Sequence, residues 1–121
     1  MSDRQASTFR KESTVTFIQS SLGNHLNKAG IPYKFDFEVP REEGKYPYRL
    51  DIVIEDAKMP FRLYLECYGK GTASDDFERD RFLRERGILP VYFANNLVKD
   101  YPAYVVRQVK EKMLLLKALW L

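Results

Sequence analysis

The sequence predicts an α/β sandwich built on a mixed β-sheet, in the order helix, strand, strand, strand, helix, strand, helix. Three observations predict it. Tyr33–Val39 alternates apolar and polar residues with the period of two of a half-buried strand, and the mostly apolar runs from Tyr48 to Ile54 and up to Tyr68 read as two more strands joined by a short turn. Apolar residues recur at three and four at both ends of the chain, the mark of amphipathic helices. A charged helical stretch separates the third strand from the fourth, and such a crossover joins parallel strands with a right-handed connection.

At 121 residues the chain has the length of one ordinary domain, and it shows no repeat, low-complexity run or linker that would divide it. We therefore treat 1–121 as one domain, with the polar stretch 1–12 as a flexible tail. The apolar and charged fractions, 45% and 31%, fit a soluble globular protein rather than a disordered one. Cys67 is the only cysteine, so no internal disulfide forms and nothing points to secretion. No apolar stretch suits a signal peptide or a membrane span, so an intracellular location, cytoplasmic or nucleoid-associated, is expected. The net charge of +3 permits nucleic-acid binding without requiring it.

Ser13 or Thr14 is placed to cap a first helix that runs to about Lys28. Val15, Ile18, Leu22, Leu26 and Ala29 form its apolar stripe, and Gly30 stops it. Gly23 lies inside the stripe, at a cost of about 1 kcal/mol against alanine. His25 sits beside it, and no second His or Cys stands near enough in sequence to complete a metal set. Phe35, Phe37 and Val39 should face inward from the first strand. Pro40 to Pro47 is a polar connection with mixed charge.

The centre of the chain is the pair of strands between Tyr48 and Lys70. On the first, Leu50, Ile52 and Ile54 share one face and Arg49, Asp51 and Val53 the other. On the second, Leu63, Leu65 and Cys67 oppose Tyr64, Glu66 and Tyr68. Paired, these strands present two carboxylates on one side of a greasy sheet. An acid among apolar residues is costly to bury unless something positive meets it, and a divalent cation is one such partner. Cys67 reads as a small core residue.

Ser74 is a good cap for the next helix, which should end at Arg86 with Gly87 as its stop. Phe77, Phe82 and Leu83 give it a modest apolar stripe. Its arginines, Arg79, Arg81, Arg84 and Arg86, form either a solvated face laced with ion pairs or a basic surface that tracks a phosphate backbone. Ile88 to Ala94 reads as a strand closed by Asn95-Asn96, and from Asp100 a last helix runs to the end. Its stripe is Val105, Val109, Met113, Leu116 and Trp120. Leu114, Leu115 and Leu119 widen that stripe beyond one sheet face, which implies deep burial or a contact with another chain.

Taken together, these residues resemble the PD-(D/E)XK, or restriction-endonuclease-like, nuclease superfamily, and within it the small branch similar to the very-short-patch-repair endonuclease. The resemblance rests on the acid-bearing Asp51 strand, the Leu63-x-x-Glu66 strand, and the helical series Asp76-x-x-Arg79-x-x-x-Leu83-x-x-x-Gly87. The strand ending Val91-Tyr92-Phe93-Ala94-Asn95-Asn96 completes it, so the match spans about residues 13 to 110. Three positions depart from the pattern. Tyr68 stands where the superfamily usually has Lys, Thr72 lies near a position often held by His, and Leu50 replaces the Pro of the motif name.

The resemblance implies a restriction-endonuclease-like α/β/α fold and a Mg2+-dependent (or Mn2+-dependent) endonuclease. The substrate would be DNA, with RNA also open, in repair, recombination, phage or mobile-element biology. Asp51, Glu66 and the backbone carbonyl of Cys67 would be the metal ligands. Asp51, Glu66 and Lys70 would be catalytic, Lys70 taking the missing lysine's role of polarising the water. Tyr68 and Arg79 would contact the substrate. Arg79 has a simpler alternative, a structural ion pair with Asp51 or Glu66. Two other outcomes keep the fold. One is a nucleic-acid-binding module that has lost cleavage through Tyr68, and the other a structural subunit docked by its leucine-rich last helix, as a homodimer or in a larger assembly.

Overall fold

A computed structural model describes residues 19–68 and 77–120. The tail 1–12, the helix cap at Ser13 or Thr14, Val15, Ile18, Lys70, Ser74 and Asp76 lie outside them. The described chain runs α1 (19–28), β1 (Tyr33–Val39), β2 (Tyr48–Ile54), β3 (Arg62–Tyr68), α2 (Phe77–Glu85), β4 (Ile88–Ala94), α3 (Asn95–Asp100) and α4 (Pro102–Trp120). The four strands form one open sheet in the order β1-β2-β3-β4. The first two neighbours are antiparallel and the β3–β4 pair is parallel, as the α2 crossover requires. No helix among the described residues is long and apolar enough to cross a membrane.

Two apolar clusters lie on the sheet. The larger joins Leu22 and Leu26 of α1, Ile52 and Ile54 of β2, Leu63 and Leu65 of β3, and Val105, Val109 and Met113 of α4. The smaller joins Val53, Tyr64 and Ile88 to Leu83 of α2. Helices thus cover both faces, and that is why β2 and β3 read as nearly continuous apolar runs. Pro90 is tolerated in β4 because this strand has a neighbour on one side only.

The first helix is shaped by close approach. A Cβ on Gly23 would stand 2.8 Å from Tyr33 Oη and 2.9 Å from Phe35 Cζ, so with any other residue here these ring tips have to shift for α1 to lie against β1. His25 Nδ1 donates to the Ser21 carbonyl at 2.8 Å, the role of a boundary histidine. Gly30 and Gly87, expected as helix stops, have φ of +72° and +75°.

Four expectations need correction. Phe35 is 41% exposed rather than inward: on edge strand β1 its ring lies against Gly23 of α1, which covers it only in part. Phe77 is 73% exposed and does not join the α2 stripe, which Leu83 anchors with half-buried Phe82. Residues Asn95–Asp100 form a separate short helix, docked by fully buried Val98, and not merely the end of a strand. The chain turns at Tyr101, and α4 starts at Pro102 rather than Asp100 because proline suits a first helical turn, where its N–H has no partner to lose.

The fourth correction concerns Leu50. The alternation puts it with Ile52 and Ile54, yet it packs with Val53, Tyr64 and Leu83 on the α2 side. Phe37, Val39 and Tyr48 do the same, whereas Tyr33 and Ile54 belong to the α1 side. The β1–β2 ribbon therefore turns from one face of the sheet to the other between the Phe35↔Ile52 and Phe37↔Leu50 pairs. Asp36 and Asp51 are the residues at that level, and Asp36 has a φ of +50°. Of the two fates expected for the extra leucines of α4, deep burial is excluded: Leu114, Leu115 and Leu119 are 64%, 56% and 72% exposed.

Candidate active site

Asp51 and Glu66 stand at a fork in the sheet. The β2–β3 register covers Ile52↔Leu65, Val53↔Tyr64 and Ile54↔Leu63. Asp51 and Glu66 are the residues immediately beyond it. From there β2 continues with β1, through Leu50 and Tyr48, while β3 continues with β4, through Glu66↔Tyr92 and Tyr68↔Ala94. A fork of this kind leaves room between two strands without unpairing either from its other neighbour.

Arg79 of α2 lies against Glu66 and its own neighbour Asp80. Its Nη2 lies 3.9 Å from Glu66 Oε2, and its Nε lies 3.4 Å from Asp80 Oδ1. The guanidinium sits over the Tyr64 ring, 5.3 Å from the centroid, which fixes its plane beside the sheet. The same positive charge acts on Asp51, but it loses to the opposing effects there. Burial pushes the Asp51 carboxyl above the usual aspartate range, the Asp36 charge adds to this, and Arg79 and Arg49 only partly offset it. An aspartate in that condition gains from a further cation.

Cys67 behaves as a core residue. Its side chain packs against the larger cluster. Burial first, and then the charges of Asp51 and Glu66, push its thiol up to about 12. At neutral pH it therefore stays protonated and is a poor thiolate nucleophile, and its backbone carbonyl is the hard oxygen donor it can offer. Tyr68, on the Glu66 side of β3, is half-buried and meets Tyr92 edge-on at 6.3 Å. Lys70 lies outside the described residues.

Two residues of this site went unremarked in the sequence. Asp36 is the β1 residue at the level of Asp51, and its charge reaches Asp51. Tyr92 is the β4 partner of Glu66, and its buried hydroxyl has no hydrogen bond among the described residues. The strand registers would have revealed both, but register across an edge strand is not written in a single alternating pattern.

The donor chemistry suits a hard divalent cation. Among the described residues no three of His, Cys, Asp and Glu gather into a metal-holding group. Two carboxylates with a backbone carbonyl are nevertheless the kind of set that Mg2+ accepts, since it keeps several waters and leans on substrate phosphates. Asp51, raised by burial and by a second acid, is the residue that such an ion would relieve.

The class defined at this point is an α/β protein with a four-stranded mixed open sheet and helices on both faces. Compared with family models, with curated proteins and with solved structures, the chain matches none.

Proposed function

We propose that this chain is a Mg2+-dependent (or Mn2+-dependent) endonuclease of restriction-endonuclease-like fold, hydrolysing phosphodiester bonds in DNA inside the cell. The observation that supports this is that Asp51 and Glu66 are the residues just beyond the last β2–β3 pair, with Arg79 beside Glu66 and its charge acting on Asp51. Asp51, Glu66 and the Cys67 carbonyl would hold the cation. When bound, that ion supplies charge relief at phosphorus and a more acidic water. Lys70 orients the attacking water and stabilises the charge that develops. Arg79 would meet the phosphoryl oxygens from α2, as a guanidinium suits. Tyr68 contacts the phosphate through its hydroxyl, which can donate a hydrogen bond.

The deciding experiment is nicking of supercoiled DNA with Mg2+ or Mn2+, and with chelator. Asp51→Ala and Glu66→Ala are each expected to abolish it, and Lys70→Ala to lower it sharply. Cleavage that persists in both acid variants ends the assignment of the site. A second reading is favoured by the Arg79–Glu66 ion pair, which already compensates one acid without a metal. In that case the chain binds nucleic acid without cutting it, or serves as a structural subunit through α4. Equal nicking with and without added metal, at the background rate, selects it.

A further inference from the structure

The described arginines near the sheet differ in what holds them. Arg49, Arg62, Arg79 and Arg81 each lie within ion-pair reach of a carboxylate, at 3.7, 3.3, 3.4 and 3.6 Å. Arg41 and Arg86 have no such partner among the described residues. They lie on rings instead: Arg86 Cζ is 3.4 Å from the Phe82 centroid, and Arg41 Cζ is 4.3 Å from that of Tyr48. The two rings meet edge-on at 5.3 Å. Arg41, Tyr48, Phe82 and Arg86 thus form one continuous ladder from the loop after β1 to the end of α2. Glu42 feels both guanidiniums, but Lys45 Nζ, 2.7 Å away, is its main partner.

This ladder has a specific physical character. A guanidinium lying on a ring has lost much of its freedom already, so less entropy remains to be lost when it meets an anion. Arg41 Nη1 donates to the Tyr46 carbonyl at 3.4 Å and Arg86 Nη1 to the Phe82 carbonyl at 3.1 Å, leaving their other N–H groups available. Each ring carries a guanidinium on one face and the two meet edge-on, which reduces the surface on which a base could stack. Arg86 follows Arg79 by two helical turns, about 10 Å along α2, which is roughly three nucleotide steps of a strand.

We propose that the Arg41–Tyr48–Phe82–Arg86 ladder grips the phosphate backbone of a nucleic-acid strand and leads it past Asp51 and Glu66 without reading its bases. The proposal rests on the nucleic-acid part of the function above and not on cleavage. It is tested by fluorescence anisotropy in chelator, with labelled DNA and RNA oligonucleotides of unrelated sequence, single-stranded and duplex. The proteins are the wild type, the double variant Arg41→Gln/Arg86→Gln, and Arg107→Gln. Arg107 is a control on α4, over the Tyr104 ring at 5.7 Å.

The double variant should lose on the order of tenfold in affinity for every sequence, and its slope of log K against log salt should fall by about 1 to 2. Arg107→Gln should bind like the wild type. The ladder is overturned by unchanged binding in the double variant, by an equal loss in Arg107→Gln, by a loss confined to one sequence, or by a wild type that binds no oligonucleotide. Nicking assays on the same proteins separate the two claims. Binding lost in the double variant with no cleavage by the wild type keeps the ladder and ends the nuclease. Cleavage that depends on Asp51 with binding untouched in the double variant does the reverse.

Discussion

Asp51 is where burial, charge and function meet in one side chain. Its carboxyl is held above the ordinary aspartate range, so the folded state keeps a proton that the unfolded chain has already released. Stability then falls as pH rises from the ordinary aspartate range through the folded value, and the loss persists at neutral pH. Asp51→Asn should therefore melt higher than the wild type at pH 7 in chelator, and the gap should close in acid. Mg2+ should raise the wild-type melting temperature and leave Asp51→Asn unmoved, because ligand binding stabilises only the state that binds. A melting temperature of Asp51→Asn below that of the wild type at pH 7 would contradict the burial account. Cleavage should fail on acidification at a higher pH than an ordinary aspartate would give, since proton and cation compete for the same oxygens. Tyr92 gives a second test at this scale. Its buried hydroxyl has no hydrogen bond among the described residues, so Tyr92→Phe removes an uncompensated desolvation and should be neutral or stabilising by about 1 kcal/mol in denaturant unfolding.

Among the elements, what was legible in the sequence followed from local chemistry, and what was missed depended on the strands' neighbours. The strands at Tyr48–Ile54 and Ile88–Ala94 appear where alternation and apolar runs put them, and Gly30 and Gly87 stop the chain with positive φ. Leu50 breaks the pattern because the β1–β2 ribbon twists across the sheet at Asp51, and one strand's alternation carries no record of its partner's twist. The same twist explains why Asp36 joins the candidate site unannounced. Short α3 was missed because Val98 docks it by tertiary contact rather than by a periodic stripe. Gly23 shows propensity overruled by packing. Alanine there would gain up to about 1 kcal/mol of helix propensity. It would also drive a methyl against the Tyr33 and Phe35 rings, and overpacking costs about 1 to 3 kcal/mol. Gly23→Ala should thus lower the denaturant midpoint. A rise would mean that the rings of β1 swing aside freely.

On the scale of the whole molecule, the two sides of the sheet divide the work. The α1 and α4 side carries the larger core, and the α2 side carries the fork, the arginine ladder and the smaller cluster. Stability and the candidate site can therefore vary apart, except at β2 and β3, which belong to both. The far surface of α4 belongs to neither. Leu114, Leu115 and Leu119 stand exposed there, outside the core that Val105, Val109 and Met113 complete. Their removal should cost the fold little, because surface substitutions away from packing shift stability by only about 0.5 kcal/mol. Their presence in water is unfavourable, and self-association through this face would relieve it. Leu115→Lys combined with Leu119→Lys should leave thermal unfolding nearly unchanged and also preserve nicking. In sedimentation velocity at micromolar concentrations the wild type should run heavier than one chain, and the double variant as a single chain. A wild type that sediments as one chain at every concentration removes the homodimer, and a large drop in the variant's melting temperature would mean that these leucines support the fold.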